Sequence, residues 1–172
     1  SIVTEIRSWS GLDLMQTVGR VVAEYESLLP SKRPREILVD SIGLGSGVVD
    51  RLRELELPVR GINVAEAPSM GATYLNLRSE LWFKAKGWFE DRACKLPKDD
   101  QLLAELTGIR YSFTSSGKMK AESKDEMRKR GLASPDLADA LCLTMASDAA
   151  TALSGAFSSW KGEIKRNLRG IA

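Results

Sequence analysis

The spacing of apolar residues predicts a chain in which strands and helices alternate. Residues 1–9 alternate apolar and polar side chains, as does a strand with one solvated face. An apolar stripe at helical spacing follows and predicts a first helix, with Ser10 or Asp13 as its N-cap. Residues 37–39 are continuously apolar, which is the pattern of a strand buried on both faces, and this run ends at Asp40.

The pattern continues with four further elements. A glycine-rich turn after Asp40 leads into a predicted helix over about 46–56, and residues 57–64 then predict a short strand. Helical spacing begins at Thr73 and extends to about Lys95, with Trp82 and Trp88 on its apolar positions and expected in the core.

The last third of the chain predicts a short helix, a hairpin and a final helix. The short helix starts at Asp99 or Asp100 and ends at Gly108, and residues 109–121 form the hairpin around a Ser-Ser-Gly turn. The final helix is expected over 134 to about 149, with Ser134 as N-cap and Pro135 at its first position. These elements together predict the α/β class, with a central mixed sheet, helices on both faces and the hairpin beside a cleft.

Composition narrows the chemistry that this chain can perform. Its 172 residues are 43% apolar and 28% charged, which is typical of a globular domain. The chain has no histidine, which excludes Ser-His-Asp and Cys-His catalysis and nearly all zinc enzymes. Cys94 and Cys142 lie in helical patterns without a CxxC pair, so we expect free thiols. No apolar run approaches the length of a membrane span.

Three carboxylates stand out against this background. Asp40 follows a buried strand and faces a glycine-rich turn, and Asp136 and Asp139 lie three residues apart in SPDLADAL. Asp40 suits a turn and Asp136 suits the first turn of a helix, so both have a structural explanation, whereas that for Asp139 is weaker. If the three converge, they repel one another unless a divalent cation lies between them. Two magnesium ions about 4 Å apart are the usual apparatus for phosphodiester hydrolysis.

Basic residues cluster just before the pair Asp136 and Asp139. Four of them are candidates for contacts with DNA phosphates: Lys118, Lys120, Lys124 and Arg128. The alternative is a solvated helix face with charges paired along the helix. Net charge is only +2, so composition does not choose between these interpretations.

Several segments resemble a known family. VDSIGLGSGVVDRL, NLRSELW, a lysine followed by MRKRG, and SPDLADAL resemble, in order, the C-terminal nuclease domain of the large terminase subunit of tailed bacteriophages and prophages. The resemblance runs from about residue 3 to about residue 148 and implies an RNase H-like fold related to Holliday-junction resolvases. It also implies a metal-dependent endonuclease that cuts concatemeric viral DNA during packaging, with two bound Mg²⁺ or Mn²⁺ ions.

The resemblance assigns roles to particular residues. It implies that Asp40 is the acid on the fourth strand, that Asp136 is the acid on the last helix, and that Asp139 is the additional acid of the resolvase branch. Lys124 and its basic neighbours would lie near the DNA. The implied partners are double-stranded DNA, the terminase ATPase domain, the small terminase subunit and the portal. The resemblance implies no membrane partner, and it places the protein in the cytoplasm of the bacterial host.

One departure from the family pattern concerns the first metal ligand. The family places its first acid on the first strand, ahead of the position that matches SIVTEIRSW, so we expect this chain to lack the first strands and one ligand. We expect residues 1–150 to form the truncated nuclease domain and residues 151–172 to form a basic tail. The motif GxxxxGK followed by Ser or Thr, which marks an ATPase, does not occur.

Two other functions stay open at this point. One is a module without catalysis that docks on DNA or on the portal, with acids that serve only as caps and surface charges. The other is an enzyme that binds a methyl donor or a nucleotide on the loop from Asp40 to Gly47. The spacing of that loop differs by one residue from the usual methyltransferase pattern.

Overall fold

The computed structural model describes residues 2–92 and 94–147. Its strands are β1 (Ile37–Asp40), β2 (Val59–Ile62), β3 (Tyr111–Phe113) and β4 (Met119–Ala121). Its helices are α1 (Leu14–Ser27), α2 (Leu44–Glu54), α3 (Leu77–Glu90), α4 (Asp100–Gly108), α5 (Lys124–Lys129) and α6 (Asp136–Leu143). Single 3₁₀ turns occupy Pro30–Lys32 and Thr144–Ala146. The predicted α/β class is confirmed.

The described strands form two small sheets. β1 and β2 are parallel, with Ile37 opposite Val59 and Asp40 opposite Ile62, and α2 makes the crossover between them. β3 and β4 form the predicted antiparallel hairpin, with Tyr111 opposite Ala121. The Phe83 ring of α3 packs against Tyr111 at a centroid distance of 5.4 Å, so the hairpin is fixed to that helix.

Helices cover both faces of the parallel pair, as expected. Leu38 packs against the larger core, which α3, α4 and α6 supply, whereas Val39 packs against the smaller core of α1 and α2. Successive strand residues point to opposite faces, so one short strand buries side chains on each side. The carboxyl end of β1, where Asp40 lies, is therefore held between two layers of helices.

The prediction of a strand over residues 1–9 is wrong. Ile2 makes an isolated parallel bridge to Lys95, with a hydrogen bond of 2.9 Å from the Val3 N–H to the Lys95 carbonyl. Val3 and Ile6 still pack on the larger core, so the alternating pattern correctly identifies the apolar face. A ladder also needs a neighbouring strand, and the described residues supply none along this segment.

The long helix is shorter than helical spacing predicts. It begins at Leu77, with the Asn76 side chain accepting a hydrogen bond of 3.0 Å from the Ser79 N–H. The preceding residues pair with the hairpin instead: the Met119 N–H donates to the Thr73 carbonyl at 2.8 Å. Backbone groups that are paired with a strand cannot also make helical hydrogen bonds, so the helix starts after them.

The start of α1 agrees with its prediction, whereas both ends of α6 differ. Of the two candidate caps for α1, Asp13 is the N-cap, in a capping box with Gln16. The N-cap of α6 is Pro135, not Ser134, and the helix ends at Leu143 instead of near residue 149, a position outside the described residues. The Thr144 hydroxyl donates to the Leu141 carbonyl at 2.6 Å, a side-chain bond that competes with helix continuation.

The predictions about the cysteine thiols and the tryptophans agree with the structure, although Cys94 lies beyond the end of α3. Cys94 and Cys142 are free cysteines, and Trp82 is buried while Trp88 packs on the larger core. Among residues 2–92 and 94–147, no helix is long and apolar enough to cross a membrane.

A fully buried carboxylate fixes the loop before α3. Glu80 has no exposed surface, and it accepts hydrogen bonds from the Ser69 hydroxyl and the Met70 N–H and pairs with Lys84 at 2.7 Å. Burial disfavours the charged form, but Lys84, Ser69 and Met70 together outweigh it and lower the pKa of Glu80. The charge of Glu80 therefore stabilises the loop that contains Ser69 and Met70.

We expect Glu80→Gln to lower the melting temperature and to make it depend less on pH. Because the pKa of Glu80 is lowered on folding, its ionised form stabilises the native state above the ordinary value of 4.5. This contribution is lost as the pH falls below that value, and the variant has no such contribution to lose. Thermal unfolding followed by circular dichroism between pH 7 and pH 3 measures both effects.

Glu90→Gln on the same helix is the matched control. Glu90 pairs with Lys86 at the same spacing of four residues but on the exposed surface, where ion pairs contribute little. Equal losses in the two variants would show that burial of Glu80 has no special effect on stability.

The turn after Asp40 depends on two glycines. Gly43 has φ of +63°, the left-handed region that glycine adopts without strain. At Gly45, an added Cβ would overlap the carbonyl oxygen of Asp40. The start of α2 can therefore approach the end of β1 this closely only without a side chain at residue 45.

We expect Gly45→Ala to destabilise the fold by about 1–3 kcal/mol, because the methyl group meets a backbone oxygen that cannot rotate away. Gly19→Ala is the matched control. Gly19 lies inside α1, and its added Cβ would have open space, so alanine there should stabilise by about 1 kcal/mol. Urea unfolding of both variants measures the difference, and a neutral Gly45→Ala would mean that the close approach at Asp40 is not required.

Candidate functional site

Asp40 lies at the exposed carboxyl end of β1. Its Oδ1 accepts a hydrogen bond of 3.1 Å from the Ile42 N–H, which is the turn role that its position also predicts. Strand pairing continues just past it, since the Ser41 N–H donates to the Ile62 carbonyl at 2.9 Å. Within the described part of the chain, Asp40 makes no ion pair, so its carboxylate stays accessible to an incoming cation.

Asp136 is the first residue of α6 and is exposed. Its Oδ1 accepts hydrogen bonds from the Ser134 hydroxyl at 2.7 Å and from Lys124 Nζ at 2.9 Å. The Ser134 hydroxyl is the main cause of a lowered pKa at Asp136, to which Lys124 adds and which partial burial opposes. Asp136 is therefore ionised at neutral pH.

Lys124 connects the two acids of α6. Its Nζ lies 2.9 Å from Asp136 Oδ1 and 3.5 Å from Asp139 Oδ2. Burial opposes the positive charge, but the hydrogen bond to Asp136 and the charges of both carboxylates outweigh it and raise the pKa of Lys124. The ammonium group thus reduces the repulsion between Asp136 and Asp139.

Asp139 is the more enclosed of the two acids. Its Oδ1 accepts hydrogen bonds from Arg78 Nε at 3.0 Å and from the Trp82 indole N–H at 2.8 Å, and Arg78 Nη2 lies 2.9 Å from the same oxygen. Arg78 also donates to the carbonyl of Glu122, between β4 and α5, at 2.7 Å. Asp139 is therefore attached to α3 and, through Arg78, to the segment that leads into α5.

Cys142 lies one turn beyond Asp139 on the buried side of α6. The side chain is almost completely enclosed by the larger core. Burial raises the pKa of its thiol, and the charge of Asp139 adds to this effect. The thiol is therefore protonated at neutral pH and is not a nucleophile in this state.

The structure places the predicted acids in two groups. Asp136 and Asp139 lie together around Lys124, whereas Asp40 lies at the end of β1, the strand on which α6 packs. Asp40 shares a sheet face with Leu38, which contacts the same core as α6. No set of three or more acidic or cysteine side chains in residues 2–92 and 94–147 is arranged to hold a metal ion.

The donor atoms nevertheless suit a hard divalent cation. Carboxylate oxygens without histidine or thiolate are the ligands that Mg²⁺ and Mn²⁺ prefer. Asp40 and Asp136 are exposed and each retains an oxygen without a partner in the described part of the chain. The described residues therefore fit part of a metal site, and they do not complete one.

The predicted DNA-binding residues lie on the hairpin and on α5. Lys118 precedes β4, Lys120 lies within it and pairs with Glu126 at 2.8 Å, and Arg128 pairs with Asp125 at 3.3 Å on the exposed face of α5. Together with the Lys124 contacts, these pairs match the alternative of a solvated, self-paired face. They also leave the ammonium and guanidinium groups at the surface, where phosphates could compete for them.

Sequence reasoning assigned no role to Arg78 and only a core position to Trp82. Both belong to NLRSELW and lie four residues apart, so they share one face of α3. That spacing predicts that the two side chains lie next to each other on the helix. It contains no information about their acceptor, Asp139, which lies about sixty residues further along the chain.

Comparison with known proteins identifies the fold. No protein-family model matches the chain, and no curated protein matches it. The nuclease domain of the large terminase subunit gp2 of bacterial virus Sf6 superposes with a TM-score of 0.73 at 21% identity, over 86% of this chain and 78% of that one. The large terminase nuclease from thermophilic phage G20c superposes with a TM-score of 0.58 at 20% identity, over 78% of this chain and 62% of that one.

Sequence identity of about one residue in five does not transfer an activity, but the superposition covers most of both chains for the Sf6 domain. The chain therefore has the RNase H-like α/β fold of the nuclease domains of phage large terminase subunits.

Proposed function

We propose that this chain is a divalent-metal-dependent DNA endonuclease domain of the large terminase type, which cuts concatemeric viral DNA during genome packaging. The observation that carries the proposal is the position of the acids on a strand and on the helix that packs against it. Asp40 ends β1, Asp136 begins the helix that packs on that strand, and both are exposed. Ligand sites in open α/β sheets lie at the carboxyl ends of strands.

The metal ligands that we propose from this chain are Asp40 and Asp136. Neighbouring terminase nucleases have been solved with manganese, with magnesium and with cobalt. Bound Mg²⁺ or Mn²⁺, as one ion or as the proposed pair, supplies an activated water and stabilises the oxygen that leaves the phosphate. Asp139 stays a predicted third acid.

The chain's own residues prepare this site in three ways. The lowered pKa of Asp136 keeps its carboxylate charged at neutral pH. Lys124 limits the repulsion between neighbouring acids. Lys118 on the hairpin and Arg128 on α5, the helix that begins at Lys124, carry the positive charge that we propose contacts the phosphates of double-stranded DNA.

Other partners belong to the same proposal. A domain of this type acts with a terminase ATPase domain, a small terminase subunit and a portal, in the cytoplasm of the bacterial host. The proposed basic tail over residues 151–172 lies outside the described residues and is one candidate for such a contact.

A docking module without catalysis is the second candidate. The observations that favour it are the internal ion pairs of Lys120, Lys124 and Arg128 and the incomplete set of ligands among the described residues. DNA binding that is independent of divalent ions would support this candidate over the nuclease.

The loop from Asp40 to Gly47 is a weaker candidate for a cofactor site. An added Cβ at Gly45 would meet the Asp40 carbonyl, and one at Gly47 would meet the Leu14 side chain. Packing within the protein therefore explains why both residues are glycines, without a phosphate group in the loop.

We expect this chain to cut plasmid DNA in Mn²⁺, and Asp40→Asn and Asp136→Asn each to reduce cleavage and Mn²⁺ affinity by at least about tenfold. Removal of either carboxylate takes away a charged ligand, while both side chains are exposed enough that the fold should persist. Cleavage is followed on agarose gels, metal binding by isothermal titration calorimetry, and folding by circular dichroism.

Asp50→Asn is the matched control for this experiment, since Asp50 is an exposed acid on α2 that pairs with Arg53, away from the site. It should cut and bind as the wild type does, and EDTA should stop all cleavage. Cleavage that persists in EDTA, or that both site variants retain, would contradict the proposal.

We expect Lys118→Glu and Arg128→Glu to weaken DNA binding and to reduce the slope of log affinity against log salt. The reduction should be about 1 for each phosphate that the variant no longer neutralises, because fewer counterions are then released on binding. Fluorescence anisotropy with a labelled duplex at several salt concentrations measures the slope.

Lys86→Glu, at an exposed position on α3, makes the same charge change away from α5 and controls for net charge. Its slope should stay close to that of the wild type. An unchanged slope in the two test variants would mean that the basic run is only a solvated face.

A further inference from the structure

The carboxylate of Asp139 is largely occupied by donors from the protein. Arg78 and the Trp82 indole donate to its Oδ1, and Lys124 lies opposite its Oδ2. Only about 20% of the Asp139 side chain is exposed, against 71% for Asp136. A metal ligand must offer a free lone pair towards the cation, and Asp139 offers fewer of these than its neighbour.

The contacts of Asp139 also form a continuous connection between three elements. Arg78 is 15% exposed and reaches from α3 to Asp139 on α6 and to the Glu122 carbonyl, where β4 leads into α5. The Arg78 guanidinium lies 5.8 Å from the centre of the Trp82 ring, and this cation–π contact stabilises the positions of both side chains. A largely enclosed carboxylate with several hydrogen bonds in such a place fixes the relative positions of these elements.

Lys124 and Asp136 are the groups that this connection positions. Lys124 begins α5 and Asp136 begins α6, and Asp139 contacts Lys124 from the next turn of α6. We propose that Asp139 is a positioning residue and not a metal ligand. Held by Arg78 and Trp82, it fixes Lys124 and the start of α6 so that Asp136 faces the site. This inference rests on the proposed nuclease function for its catalytic consequence, but not for its structural one.

Asp139→Asn tests the inference because it keeps the shape of the side chain and removes its charge. We expect kcat for plasmid cleavage to fall by about tenfold or more, while Mn²⁺ affinity stays near that of the wild type. Asp136→Asn should instead lose Mn²⁺ binding. Loss of Mn²⁺ binding in Asp139→Asn as complete as in Asp136→Asn would overturn the inference and assign Asp139 as a ligand.

A double-mutant cycle tests whether Arg78 and Asp139 act as one unit. Arg78→Met should reduce kcat as Asp139→Asn does, and the double variant should be no slower than either single variant. Arg78→Lys keeps the charge and should restore part of the rate. Additive losses would overturn the inference, since they would mean that the two residues act separately.

Nuclear magnetic resonance gives a measurement that needs neither metal nor DNA. In ¹H–¹⁵N spectra, Asp139→Asn and Arg78→Met should shift the backbone amides of Lys124 and Asp136 and the indole signal of Trp82, which Trp82→Phe identifies. Asp50→Asn should leave these signals unchanged. If the Lys124 and Asp136 amides do not move, the positioning role is wrong, whatever the nuclease assay shows.

The same spectra separate the two proposals. A wild-type chain that neither binds Mn²⁺ nor cuts DNA would contradict the nuclease function, and the shifts would still decide whether Asp139 positions Lys124 and Asp136. If Asp139→Asn fails to fold, Trp82→Phe removes a single donor to the same oxygen and should give a smaller shift of the same backbone amides.

Discussion

The contact between Arg78 and Asp139 is the interaction on which the geometry of the site depends. A largely enclosed charge is costly without a partner, and Asp139 is the acid that pairs with Arg78. Because Arg78 also bonds a backbone carbonyl, three separate segments converge at one guanidinium. The direction of α6 at the Arg78–Asp139 contact determines where Asp136, the exposed acid of this helix, lies relative to the end of β1.

Local chemistry explains which parts of the fold are predictable. The apolar run before Asp40, the glycine turn and the hairpin are each encoded within a few residues, and all three form where expected. The strand over residues 1–9 and the helical start at Thr73 fail for a different reason. Both depend on which segment lies alongside, as when Thr73 pairs with Met119 instead of starting a helix.

The candidate site likewise contains features that the local sequence predicts and features that depend on packing. The spacing of Asp136 and Asp139 places them on one helix face, and both contact Lys124. Helical periodicity also identifies Trp82 as a core residue, but it does not reveal that its indole N–H donates to Asp139. A polar atom in the core needs a partner, and that partner is set by the packing of α3 against α6, which no local pattern contains.

The enclosed thiol behind the acids has a consequence of its own. Cys142 can meet a reagent in solution only when α6 separates from the core, because the folded helix leaves almost no path to its sulfur. Its rate of alkylation therefore reports how often this region opens, whether locally or through unfolding of the whole chain. The Cys142 thiol is therefore a natural probe of how firmly α6, which carries Asp136 and Asp139, is held against the core.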